Sequence, residues 1–359
     1  MIVYILIGAL IAIWGAILYR EEKPGRGLFP IFLILTLLMG LRGEMAEDHP
    51  EYTAFFERMS GYDWQRVFAG NHVMETGFAV FCKAISTIFT SPVFFMLVVA
   101  VITVGLYTLA YKNSAKIPWL AMVMFFAIGD YFDSFNIVRN VLAASICLFA
   151  IIRYVSGEKK SFFKYVLLVL LASTIHTSAL VMIPMYFVFK IRFSSKTFLA
   201  YLGVGAATYL FLPRIINIFY KLFPQYSFYG DQDIMATNLN AIIPTLGVFL
   251  FVIICLYFFK VDMDLEQNSN RIAMHGLILA LIFMIASTQS GLAYRFAHFF
   301  KPFVAIAAVN TIASMKNQKN KDIIIGAVSL VAVVAVWIFY RESPYDPYYL
   351  HSEITGIFR

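Results

Sequence analysis

Charge is scarce in this sequence: 14% of its 359 residues are Asp, Glu, Lys or Arg, against 61% hydrophobic. Soluble domains run at about 25% charged and about 45–50% apolar, so a water-soluble enzyme is excluded. Cysteine is almost missing as well. Cys82, Cys147 and Cys255 have no paired spacing, and neither a disulfide framework nor a metal site is indicated. Walker A, GxSxG and HExxH patterns are absent, which removes the P-loop, the serine-hydrolase elbow and zinc proteolysis. No internal repeat, low-complexity linker or soluble domain interrupts the chain.

What the sequence has in plenty is apolar bulk. Its 36 Phe and 21 Tyr are far too many buried-type residues for a disordered chain. A bilayer span takes about 20 apolar residues. Apolar runs fall at 2–19, 27–41, 92–111, 117–129, 137–152, 162–175, 178–189, 198–213, 241–259, 271–288, 299–315 and 323–340. They predict an all-α polytopic membrane protein of eleven to twelve transmembrane or re-entrant helices with short loops, in a single transmembrane domain over 1–359. The first run lacks a basic n-region and a small-residue cleavage site, and is expected to be a retained helix entering from outside.

That choice sorts every loop, and the positive-inside rule checks it. The inner loops then hold 17 cations and 7 acids, among them Lys112, Lys116, Arg153, Lys190, Arg192 and Arg271. The outer side holds 11 cations and 14 acids, so +10 inside and −3 outside make up the net +7. The basic excess is a topology signal. Both termini are expected outside, and nucleic acid drops out as a partner.

One stretch decides the parity. Residues 162–189 are long for one span and short for two, and their middle reads Ser173-Thr174-Ile175-His176-Thr177-Ser178. A polar break suits two short helices or a re-entrant hairpin meeting at His176 better than one tilted helix. The longest outer segment, 43–91, has Phe78, Phe81, Cys82, Ile85 and Phe89 on one helical side. That pattern fits an interfacial helix on the outer leaflet, or a packed connecting segment.

Ionisable groups near membrane depth default to a functional reading. Arg42, Arg139 and Arg295 all fall at outer helix ends, where the positive-inside rule makes arginine unexpected. Each alone could be a snorkelling interface residue. As a set they point to an anionic ligand reached from the outer leaflet, since guanidinium groups match phosphate oxygens. His176 shares that face and suits proton transfer, although a histidine in a polar break is often structural. Glu75, Asp48, Asp130, Asp133 and His298 are the other acid/base candidates.

These outer residues also carry a family resemblance. Gly40-Leu41-Arg42 followed by Asp48 and Tyr52, then Glu75-Thr76-Gly77-Phe78, then Phe135-Asn136-Ile137-Val138-Arg139-Asn140, then His176-Thr177-Ser178-Ala179-Leu180, then Tyr294-Arg295-Phe296, occur in this order. The sequence resembles the EpsG family of bacterial exopolysaccharide and O-antigen polymerases, the Wzy-like proteins. Glu47 before Asp48 and Asn140 after Arg139 depart from the family's Gly and Gln. The resemblance implies polymerisation of oligosaccharide repeat units carried on undecaprenyl diphosphate, at the outer face of the cytoplasmic membrane, without metal or cofactor. On that basis Arg42, Arg139 and Arg295 would hold the diphosphate, and His176 would be the base with Glu75 in reserve. Asp48, Tyr52, Asn136 and Tyr294 would face sugar, with Tyr345, Tyr348 and Tyr349 as further stacking candidates. The bilayer, the lipid-linked oligosaccharide and a chain-length regulator are the expected partners. A flippase for lipid-linked glycan and an outer-face O-antigen ligase are the competing functions.

Overall fold

A computed structural model describes residues 1–20, 27–157, 160–222, 241–341 and 343–351. The charges at 21–26 and 158–159 that enter the loop count lie outside these residues. The helices are α1 (Ile2–Arg20), α2 (Leu28–Gly40), α3 (His49–Gly61), α4 (Trp64–Phe68), α5 (Thr76–Ser86) and α6 (Pro92–Ser114). Next come α7 (Pro118–Ile128), α8 (Asp130–Asn136), α9 (Val138–Ile151), α10 (Phe162–Ile175), α11 (Met185–Val188) and α12 (Ser195–Leu222). The last are α13 (Ile243–Tyr257), α14 (Asn268–Ala286), α15 (Gly291–Ala297), α16 (Pro302–Ala313) and α17 (Gln318–Tyr340). No strand occurs among the described residues, only an isolated antiparallel bridge between Arg42 and Leu350.

The chain is thus an all-α polytopic membrane protein. Among the described residues, six helices are long and apolar enough to cross a bilayer, seven if the bent pair α15–α16 is one span. The other apolar runs become shorter helices such as α2, α7, α10 and α13. A 13-residue helix such as α2 rises only about 20 Å, less than the hydrocarbon core of about 30 Å. Short helices therefore end inside the protein, and their ends are where polar groups collect.

α7 lies at the centre. All 11 of its residues are buried, as expected of a helix that is apolar on every side. It ends at Gly129, whose φ of 110° is open to glycine and strained for any other residue, and the chain turns straight into α8. The corner expected as a loop between two spans is therefore a seven-residue helix carrying Asp130, Asp133 and Asn136.

The polar break at His176 is present. α10 stops at Ile175, His176 is extended, and Thr177–Met182 form a 3₁₀ turn. The Tyr165 hydroxyl donates to the Met182 carbonyl at 2.5 Å, and the Tyr165 and Tyr186 rings lie 5.4 Å apart. The two arms therefore run back along each other as a hairpin with His176 at its turn. One continuous tilted helix is excluded.

In the segment 43–91 the structure shows the packed arrangement, the alternative to an interfacial helix. α5 forms where the periodicity placed it, but Phe78, Cys82 and Ile85 are buried against protein, with α3 and α10 as neighbours. The Phe78 ring packs on Phe55, Tyr52 and Phe95. Phe81 is only half-buried and Phe89 is exposed, so the covered part of the face is the stretch around Phe78, Cys82 and Ile85.

Candidate functional site

The site is built from the ends of short elements. The residue before α5 supplies Glu75, the start of α9 supplies Arg139 and Asn140, the hairpin turn supplies His176 to Ser178, and α15 supplies Tyr294 and Arg295. Glu75 ties three of them together. Its Oε2 pairs with Arg139 Nη1, while its Oε1 accepts from the Thr177 backbone N–H at 3.0 Å and from the Thr177 hydroxyl at 3.3 Å. Both carboxylate oxygens have partners, and through them Glu75 orients Arg139 and the hairpin turn.

This contact depends on the close crossing of α5 and α10. A Cβ on Gly77 would overlap the side chain and carbonyl of Thr174. Glycine two residues after Glu75 is what lets the carboxylate reach the turn.

Asn140 makes the second tie. Its side-chain amide donates to Ser178 Oγ at 3.1 Å and to the Arg295 carbonyl at 3.3 Å, linking α9, the hairpin and α15. Ser178 Oγ lies 2.5 Å from His176 Nδ1. His176 is thereby oriented through Nδ1, with Nε2 on the other edge of the ring. The charges of Arg139 and Arg295 both reach His176, and both reach Asp48. Burial and the nearby Glu51 carboxylate push Asp48 above the usual carboxylate range, against the opposing pull of Arg295 and Arg139. The Asp48 backbone N–H donates to Asn136 Oδ1 at 2.9 Å, which fastens the start of α3 to the end of α8.

Arg42 is placed differently. It is 1% exposed, its guanidinium donates to the Met39 carbonyl and, at 3.1 Å, to the Phe135 carbonyl, and it lies 4.7 Å over the Phe135 ring. The C-terminal tail seals it. Gly43 N–H donates to the Tyr349 carbonyl at 2.8 Å and His351 N–H to the Leu41 carbonyl at 3.1 Å, on either side of Arg42. In this arrangement Arg42 braces α2 against α8 and is closed to a ligand.

Tyr52 is also inside, 4% exposed, under Arg139 and against Phe78. Burial raises its phenol above the usual range, and Arg139 opposes that rise. Tyr345 packs on Phe132 and Phe135, and the Tyr348 hydroxyl donates to the Leu38 carbonyl at 3.1 Å. Tyr349 is half-exposed, with its hydroxyl on the Glu44 carbonyl at 2.5 Å. Tyr52 and Tyr345 are buried and serve packing in this structure, while Tyr348 is partly exposed.

A buried ionic cluster underlies the site. Lys301, 3% exposed, reaches Asp133 Oδ2 at 2.7 Å and Asp130 Oδ1 at 3.1 Å. The Tyr294 hydroxyl donates to Asp133 Oδ1 at 2.9 Å, and His298 Nδ1 lies 3.7 Å from a carboxylate oxygen of each aspartate. Asp130, Asp133 and His298 have a spacing that could hold a metal ion, but the Lys301 ammonium already lies within ion-pair distance of both carboxylates. The cluster pins α8 to α15 and α16. It fixes Tyr294, and with it the neighbouring Arg295, in place.

Sequence reasoning missed Lys301, Thr177, Ser178 and Asn140 as members of this assembly. The signal for Lys301 was present: a cation in the apolar run 299–308 needs an anionic partner, and Asp130 and Asp133 are the acids of the facing corner. The others stand within the quoted motifs but carry no charge, and their roles appear only in their hydrogen bonds.

No curated protein and no solved structure matches the chain. The model of the EpsG family matches residues 28–352, a stretch that takes in every member of this assembly. Arg139, Arg295, His176 and Glu75 thus converge within the matched region of a chain that belongs to the EpsG family, a membership that supports a Wzy-like polysaccharide polymerase in general terms.

Proposed function

We propose that the protein joins oligosaccharide repeat units carried on undecaprenyl diphosphate, at the outer face of the cytoplasmic membrane, with undecaprenyl diphosphate as leaving group. One observation carries this reading: Arg139, Arg295 and His176, from three separate segments, meet at one end of a membrane protein of this family. The loop-charge asymmetry supports placing that end outside.

Arg139 and Arg295 take the diphosphate. Negative charge grows on the departing oxygen as the glycosidic C–O bond breaks, and fixed guanidinium donors stabilise it. Arg42 keeps α2 and α8 in register from below and is a positioning residue in this scheme. The sugar hydroxyl of the second lipid-linked unit attacks the anomeric carbon, the diphosphate leaves with the bonding electron pair, and His176 takes the hydroxyl proton on Nε2. That requires the proton of the neutral ring to sit on Nδ1, where Ser178 Oγ can accept it. Glu75 pairs with Arg139 and keeps its guanidinium aimed. Asp48, Asn136 and Tyr294 form the surrounding wall, with Asp48 a carboxylate within the field of both arginines that would meet sugar hydroxyls.

The test is deletion of the gene followed by analysis of the surface glycan. A polymerase predicts that single repeat units still reach the surface. Complete loss of surface glycan would instead identify a flippase for the lipid-linked unit and overturn the proposal.

A further inference from the structure

A large cleft lies away from this site. It opens between α1 and α17, has a volume of about 930 Å³, and is lined along most of its length by small or aliphatic side chains, among them Ala12, Ala16, Gly326 and Leu330. Its polar end is made by Tyr19, Lys116, Gln318 and Asp322. Lys116 precedes α7 and Asp130 follows it, so this polar end and the Arg139 assembly lie at opposite ends of the central helix.

The polar end is ordered by its own hydrogen bonds. Gln318 Nε2 donates to the Tyr19 hydroxyl at 3.2 Å and to Asp322 Oδ1 at 2.7 Å, clasping α1 to α17 and fixing the Asp322 carboxylate. The Lys116 backbone N–H is held by Asn310 Oδ1 at 2.8 Å, while its ammonium is exposed. Among the described residues, the slot ends in one cation, one anion and two hydrogen-bonding groups, an arrangement complementary to an amphipathic molecule with both charges in its head. A slot lined by methyl groups and open to the bilayer accepts acyl chains. The rim decides which lipid. Phosphate suits Lys116. A primary ammonium suits Asp322, since it is both cationic and a hydrogen-bond donor. A purely anionic head would lie against Asp322 uncompensated, and a choline head has no N–H to give it.

We propose that the cleft between α1 and α17 is a binding site for a phospholipid whose head carries a phosphate and a primary ammonium, with the phosphate on Lys116 and the ammonium on Asp322. The site is independent of the glycan chemistry at the other end of the molecule.

The experiment uses the full-length protein purified in detergent and titrated with phosphatidylethanolamine, phosphatidylglycerol and phosphatidylcholine, with bound lipid read by native mass spectrometry. Phosphatidylethanolamine is expected to bind roughly tenfold tighter than the other two, the factor that one charge-assisted hydrogen bond supplies. Asp322→Asn should erase that preference, and Lys116→Gln should weaken all three lipids together. A Cβ at Gly326 meets no atom within 4 Å, so Gly326→Leu should fold normally and expel the lipid. Equal binding of the three lipids by the wild type, or undiminished phosphatidylethanolamine binding by Asp322→Asn and Gly326→Leu, would overturn the proposal. Conversion of a dimer to a monomer by Gly326→Leu without loss of lipid would assign the cleft to a second copy of the chain, and would overturn it equally.

Discussion

A guanidinium can be a ligand or a brace, and burial decides which. Arg42 and Arg139 follow the same sequence logic, yet Arg42 spends its donors on two backbone carbonyls under a sealing tail, while Arg139 is aimed by a half-buried carboxylate. Sequence reasoning could read the arginines as a set, because few cations fall at the ends of apolar runs on that side. It could not tell them apart, because neither burial nor partner is encoded in spacing. The same limit hid Lys301. Its role has a sharp consequence: Lys301→Met leaves two buried carboxylates without their cation and should cost about 3–5 kcal/mol of stability. Lys301→Met with Asp133→Asn should recover part of that loss, read as thermal unfolding in detergent; equal stability of Lys301→Met and wild type would remove the cluster from its bracing role.

His49 makes a pH prediction at the same scale. Its ring is fully buried with no hydrogen-bond partner on either nitrogen, and burial, with help from Arg42 and His351, pushes its pKa down to about 3. The folded state therefore holds it neutral, while the unfolded chain protonates it below about 6.5. Between those values the unfolded state binds more protons, so stability falls as pH falls, by up to about 1.4 kcal/mol per pH unit. His49→Phe should flatten that slope between pH 6 and 4 in an unfolding titration, and an unchanged slope would assign it to other groups.

At the scale of elements, the polar break was legible because five of the six residues from Ser173 to Ser178 are polar, too much for one lipid-facing helix. The return of the chain after it was read with the break, whereas the choice between two short spans and a re-entrant hairpin was not legible, and the packing of the arms comes from Tyr165, Met182 and Tyr186. The helix at 76–86 was readable from its apolar periodicity, but periodicity does not say whether the apolar face meets lipid or protein. The crossing of α5 over α10 is the element-level contact on which the site depends. Gly77→Ala should push the helices apart, detach Glu75 from Thr177 and release Arg139. Polymer length should then drop although every charged residue remains. Normal-length polymer from Gly77→Ala would show that the crossing tolerates a methyl group and that Glu75 does not need it.

Over the whole molecule, polar contacts collect at two ends of one central helix. One end joins Glu75, Arg139, Asn140, His176 and Arg295; the other joins Tyr19, Gln318 and Asp322 beside Lys116. The fold class was plain from composition, since so little charge and so many apolar runs leave few alternatives to a helical membrane bundle. The number of long helices was less plain, because α2, α7 and α10 are apolar but too short to cross alone. Their shortness is what gives the molecule an interior polar floor at its site.

The most direct measurement is in vitro extension by the purified protein in vesicles supplied with undecaprenyl-diphosphate-linked repeat units, with products resolved by length. Wild type should give a ladder, and Arg139→Ala and Arg295→Ala should each lower extension by about a hundredfold or more while inserting normally, the scale of loss for a fixed oxyanion donor. Ladders of wild-type length and rate from both variants would contradict the account.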